Sequence, residues 1–258
     1  MRPDVVVLCY HAVSARWSSS LSVTPERLAE QVSSLLLRGY VPQTFTSAVL
    51  APASPKVVAV TFDDAYRSVA ELARPVLDGL GVVASVYAPT AFIGRDEPMS
   101  WPGIEEWLDT EHRDELLPLG WDGLAELAGA GWEVGSHTVG HPRLTTLGDA
   151  ELAGELRASR AACEERLGRP CTSIAYPYGD EDARVVRAAG EAGYLAAGTL
   201  PHRLHAASPL RFPRIGVYQR DDPRRFRLKT DRPMRALRRS PAWELAERMR
   251  SRAARGRG

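Results

Sequence analysis

Two adjacent carboxylates, Asp63 and Asp64, follow an apolar run at residues 57–61, and two histidines separated by three residues, His137 and His141, follow another at 132–135. Tyr176-Pro177-Tyr178-Gly179 ends a third run, and His11 ends the first one at 5–10. Two imidazoles and one carboxylate make a three-ligand set for a divalent metal, with positions left open for water and substrate. The second carboxylate then stands beside the metal without binding it, and a free carboxylate next to metal-activated water is a general base. Together these residues describe a metal-assisted hydrolase. Singly, each has a plain structural reading. An Asp pair after a strand serves as a helix N-cap and turn former, a lone His-x-x-x-His arises by chance, Tyr-Pro-Tyr-Gly is a turn, and His11 is a core histidine. Pro142 disfavours helical geometry at His141, so that histidine is expected on a turn.

The elements that must position these residues alternate along the chain. Strands are expected at 5–10, 57–61, 82–87, 132–135 and 172–175, and near Tyr194 and Ile215. A helix should follow the Thr24-Pro25-Glu26 start signal and stop at Gly39. Others are expected after Asp64 to about Gly79, around 124–128, at 149–167 and near 182–189. Strands alternating with helices at this spacing mean parallel βα units. About seven of them in 220 residues favour barrel-like closure, with the active site at the C-terminal ends of the strands. All four clusters fall at such ends. Residues 95–120 are irregular and carry Trp101, Trp107 and His112, with Trp121 just beyond. Aromatics there can stack on a sugar or pack a lid, and they are not assigned to the site.

The 258 residues, 44% hydrophobic and 25% charged, suit one large domain with a real core. No apolar run approaches the roughly 18 residues of a membrane-spanning helix. Cys9, Cys163 and Cys171 are odd in number and lack a Cys-x-x-Cys spacing, so neither a disulfide framework nor a cysteine zinc site is expected. The start carries no signal-peptide pattern, which gives a cytoplasmic expectation. Net charge is +1, arguing against a chain built throughout for nucleic acid, but it is unevenly spread. From Asp222 onward there are 13 basic and 4 acidic residues. We therefore read residues 1–220 as the catalytic domain and 221–258 as a basic tail, solvated or helical. Contact with an anionic membrane surface through Arg224–Arg257 is one role for it, and no specific nucleic acid is expected. His202 and His205 are read as loop residues.

Thr61-Phe62-Asp63-Asp64-Ala65, Ser136-His137-Thr138-Val139-Gly140-His141 and Tyr176-Pro177-Tyr178-Gly179 resemble the polysaccharide deacetylase family, also called the NodB-homology or carbohydrate esterase family 4 domain. The resemblance spans about residues 5–218. The opening Leu8-Cys9-Tyr10-His11-Ala12-Val13 looks like the branch of biofilm poly-N-acetylglucosamine deacetylases. The resemblance implies a distorted (β/α)7 barrel and an N-deacetylase acting on a GlcNAc-containing glycan or glycoconjugate. It makes Asp63 the base, and Asp64, His137 and His141 the ligands of one divalent metal, usually zinc, with cobalt or nickel able to serve. It makes the backbone N–H of Tyr178 an oxyanion donor.

The chain also departs from the family pattern. The late Leu-x-Leu-His motif that supplies the acid is absent, and in the Tyr-His branch the early histidine takes that role, which falls on His11. Ala175 stands where the common pattern has an arginine bracing the catalytic aspartate, and Arg214 in Phe212-Pro213-Arg214-Ile215 is the candidate replacement. The Asp-x-x-x-Trp motif is not evident. Three alternatives stay open: an O-acetyl carbohydrate esterase, a silent glycan-binding barrel, and a two-metal phosphoesterase, which needs more ligands than these.

Overall fold

The computed structural model describes residues 3–200 and 207–238. His202, His205 and the tail beyond residue 238 lie outside the described residues. The chain runs β1 (Asp4–Tyr10), β2 (Ala12–Val13), β3 (Ser22–Val23), α1 (Pro25–Leu36), β4 (Val41–Pro42), α2 (Phe45–Leu50) and β5 (Lys56–Phe62). A π-helical turn, Val69–Ala73, leads into α3 (Arg74–Gly79), followed by β6 (Ser85–Ala88), α4 (Trp121–Gly129), β7 (Glu133–Ser136) and α5 (Asp149–Leu167). Then come β8 (Ser173–Ala175), α6 (Ala183–Glu191), β9 (Ala196–Thr199), β10 (Phe212–Pro213), β11 (Ile215–Gly216), α7 (Pro223–Thr230) and α8 (Arg232–Arg238).

The main sheet is parallel, in the order β10-β9-β8-β7-β6-β5-β1-β11, with β4 also on β5. Its two end strands, β10 and β11, are divided in sequence by Arg214 alone. β10 pairs with β9 and β11 with β1, so this one broken strand carries the sheet round from one edge to the other. Counted as a single staves' position, it makes the expected seven-stranded, distorted barrel.

Alternation along β1 sorts the core. Val6, Leu8 and Tyr10 pack outward with Leu28, Val32 and Leu35 of α1. Val7 packs inward with Phe45 and Ala48 of α2, Ala59 and Tyr87. A period of two therefore aims Cys9 into the barrel.

Local signals account for several element ends. Thr24 caps α1, its side chain accepting from the Arg27 N–H, and α5 ends at Gly168 in the left-handed conformation (φ 62°). Two strands begin later than their apolar residues suggested, for one reason. Val82 and Tyr194 donate backwards from their N–H groups to Leu77 and Ala189 carbonyls at 2.9 and 3.1 Å, finishing the preceding helices. The strands β6 and β9 start only after those turns.

Residues 222–238 are not detached from the barrel. Asp222 caps α7, Phe226 is buried in the main core, and Arg235 of α8 donates to Asp4 Oδ1 at 2.6 Å. The packed structure thus continues past the boundary expected at residue 220. Among the described residues no helix is long and apolar enough to cross a membrane.

Candidate active site

The parallel register brings the functional residues to one end of the barrel. Tyr10 pairs with Phe62 across β1 and β5, and the Asp63 N–H donates to the Tyr10 carbonyl at 2.9 Å, so His11, Asp63 and Asp64 emerge side by side. Ala88 pairs with Ser136, and the His137 N–H donates to the Ala88 carbonyl at 2.9 Å. The loop from His137 to His141 is a turn, as Pro142 implied. It is held from α5: Glu155 Oε2 accepts the Val139 and Gly140 N–H groups at 2.7 and 3.1 Å, and Ser136 donates to Ser159 at 2.8 Å.

Backbone strain gathers here. The non-glycine residues with positive φ among the described residues are Asp64, Ala65, Thr138, His141 and Tyr178, all in the three loops that carry the motifs. Each such residue costs on the order of 1–3 kcal/mol and persists where its surroundings over-determine it.

Asp64, His137 and His141 converge as one cluster. Asp64 Oδ1 lies 3.3 Å from His137 Nε2 and 3.4 Å from His141 Nε2. The His137 Nδ1 lies 2.8 Å from the Ala175 carbonyl. A carbonyl only accepts, so Nδ1 carries a proton, and in the neutral ring this leaves the Nε2 lone pair facing Asp64. Burial, the largest cause, pushes His141 down to about 3, leaving a neutral imidazole. Asp64 Oδ1 is buried with no hydrogen-bond partner. Acceptor atoms aimed at one another in a buried place repel unless a cation lies between them. Two imidazoles and a carboxylate, one imidazole oriented by a carbonyl, fit a divalent metal.

Asp63 has the opposite surroundings. Arg214 donates from Nη1 to its Oδ1 at 2.6 Å and from Nη2 to its Oδ2 at 2.8 Å, with Nη1 also reaching Thr61 Oγ1 at 3.2 Å. The Cys9 thiol donates to Asp63 Oδ2 at 3.3 Å. Burial would raise the carboxyl's pKa, but the Arg214 guanidinium, with His137 and His11 nearby, holds it well below the carboxylate range. Arg214 reaches inward past Gly198, where a Cβ would stand 2.6 Å from Nε and 2.7 Å from Cδ.

His11, Asp63, Asp64, His137, His141 and Tyr178 line one open pocket of about 400 Å³. Arg214 sits behind Asp63, 1% exposed. A ring nitrogen of His11 lies within 4.8 Å of both the Asp63 carboxylate and the Cys9 sulfur. Tyr178 (φ 60°, ψ 4°) packs its ring on His141 at 4.7 Å.

Several further residues, without an assignment from their sequence, wall the pocket. Trp101 stacks on His141 at 4.2 Å and 21°. Arg143 lies over the Tyr178 ring at 4.1 Å, and Tyr218 and Leu200 complete one side. The Trp-rich stretch was a signal for Trp101; Tyr218 and Leu200 had none.

Residues 51–197, more than half of the chain, match the sequence model of the polysaccharide deacetylase family. The chain belongs to that family. It is 26% identical over 193 residues to YxkH of Bacillus subtilis (strain 168), named as a polysaccharide deacetylase, covering 73% of this chain and 61% of YxkH. The chain thus spans about three-fifths of that relative's length. The Streptococcus pyogenes deacetylase PplD shares the fold at TM-score 0.73 and 20% identity, over 90% of this chain and 100% of PplD. IcaB from Ammonifex degensii is 25% identical at TM-score 0.69, over 92% of this chain and 98% of IcaB. The fold of this polysaccharide deacetylase family member is the NodB-type barrel that its motifs implied.

Proposed function

We infer that the protein is a metal-dependent N-deacetylase that hydrolyses the acetamido group of a GlcNAc-containing glycan or glycoconjugate, giving acetate and a free amine. The observation that carries this reading is the division of labour between neighbouring carboxylates, Asp64 facing two imidazoles and Asp63 facing a guanidinium. Asp64, His137 and His141 would hold one divalent cation, assigned as zinc, with cobalt or nickel as substitutes. When bound, it supplies Lewis acidity to the acetyl carbonyl and to water.

The protein's own groups do the rest. Asp63, kept ionised by Arg214, takes the proton from the attacking water. The Tyr178 backbone N–H donates to the oxyanion of the tetrahedral intermediate, a contribution of about 3–4 kcal/mol for one such donor. His11, beside Asp63, delivers a proton to the nitrogen as the C–N bond breaks. Arg214 is a positioning residue, holding the base by two parallel hydrogen bonds. Trp101 and Tyr178 wall His141 and limit water there.

The test is acetate release from N-acetylglucosamine oligomers by zinc-loaded protein, run beside acetylated xylan. Release from the oligomers, with a matching gain of free amine, is expected. Release from the xylan alone would replace the amide reading with an ester one.

A further inference from the structure

A second pocket, of about 370 Å³, opens beside the catalytic one and shares Tyr178, Leu200 and Tyr218 with it. Its far side is cationic, lined by Arg220, Lys229 and Arg238. Lys229 Nζ is tied to Asp221 Oδ2 at 2.5 Å and to the Gly216 carbonyl at 3.0 Å, and lies 5.0 Å from the Tyr218 ring centre. Arg220 is exposed and Arg238 half-buried, and neither guanidinium has a carboxylate partner among the described residues. Burial lowers the Lys229 pKa, Asp221 works against that, and the charges of Arg220 and Arg238 add to the lowering. The three cations therefore crowd one another. Against Asp221 alone they leave a charge near that of a phosphate monoester with the sign reversed.

We propose that this pocket binds a phosphate group carried by the substrate next to its acetylated sugar, so that the preferred substrate is a glycosyl phosphate. This rests on the deacetylase reading and names its substrate class. The shared wall of Tyr178, Leu200 and Tyr218 puts the two groups of one small ligand in adjoining pockets. A uronate, with one charge, matches the cations less well.

Calorimetric titration tests this in the Asp63→Asn background, where the amide is not turned over. N-acetylglucosamine 1-phosphate should bind at least about tenfold tighter than N-acetylglucosamine at low salt. The gap should narrow as salt screens the charges, and it should vanish in Arg220→Ala/Arg238→Ala. A gap that survives the double substitution, or an equal gain for a uronate-bearing disaccharide, would overturn the proposal. A parallel arm uses phosphatidylcholine vesicles with and without a long-chain alkyl phosphate. Arginine-dependent binding of the soluble ester assigns a soluble source, and arginine-dependent binding seen only on alkyl phosphate vesicles assigns a lipid-linked one. Absence of both overturns the site. Because titration needs no turnover, phosphate binding without acetate release from any substrate would break the deacetylase reading alone.

Discussion

Asp63 and Asp64 are neighbours in the chain and opposites in environment. The peptide between them turns into the left-handed region at Asp64 (φ 68°), so one carboxylate meets Arg214 and the other meets two imidazoles. Removing the guanidinium leaves a buried carboxylate uncompensated, a loss of about 3–5 kcal/mol. Arg214→Ala should therefore melt on the order of 10 °C lower, at roughly 2–4 °C per kcal/mol for a chain of this size, and lose most of its kcat while still binding metal. Arg214→Lys should recover less than half of either loss, because an ammonium cannot make both parallel bonds; thermal melts and metal content decide it. The ligands and base were legible in the sequence because few residue types do that chemistry and their spacing after apolar runs placed them. Arg214 was legible only through the alanine at 175. Tyr218 and Leu200 were not, since tyrosine and leucine are common and only the folded chain shows which ones face a pocket.

At the scale of elements, the site depends on parts that touch no reacting atom. Glu155 in α5 holds the loop between the two histidines by two backbone N–H groups. Glu155→Ala should weaken metal binding by about 10–100-fold with the fold retained, as loss of outer support does; a competitive metal titration reads this. Gly198→Ala places a methyl against Arg214, so kcat should fall at least about tenfold while metal affinity holds, measured on the same preparation. Long periodic elements were readable in advance: α5 spans the expected residues because it has an acidic first turn and a glycine stop. Short ones were not. β10 and β11 are two residues each, too brief for any period to show, yet they close the barrel and deliver Arg214. Strand starts were misplaced where an apolar residue, Val82 or Tyr194, served to finish a helix.

For the whole molecule, the two ends of the described residues are pinned by a buried ion pair. Arg235 donates to Asp4 Oδ1 at 2.6 Å, and Tyr40 donates to Asp4 Oδ2 at 2.7 Å. Burial opposes the Asp4 charge, but these hydrogen bonds and the Arg235 charge hold its carboxyl below its ordinary value of 3.8. A depressed carboxyl stabilises the fold above its unfolded pKa, and the contribution is lost as pH falls through the folded value. The Tm difference between wild type and Arg235→Ala should therefore be full at neutral pH and shrink below about pH 4; a difference independent of pH would remove the pair from the account. The measurement that tests the central claim most directly is metal content and acetate release, determined together on Asp63→Asn and Asp64→Asn. Asp63→Asn should hold one metal per chain and release no acetate, and Asp64→Asn should lose both. Metal retained by Asp64→Asn, or lost from Asp63→Asn, would contradict the division of roles between the two carboxylates.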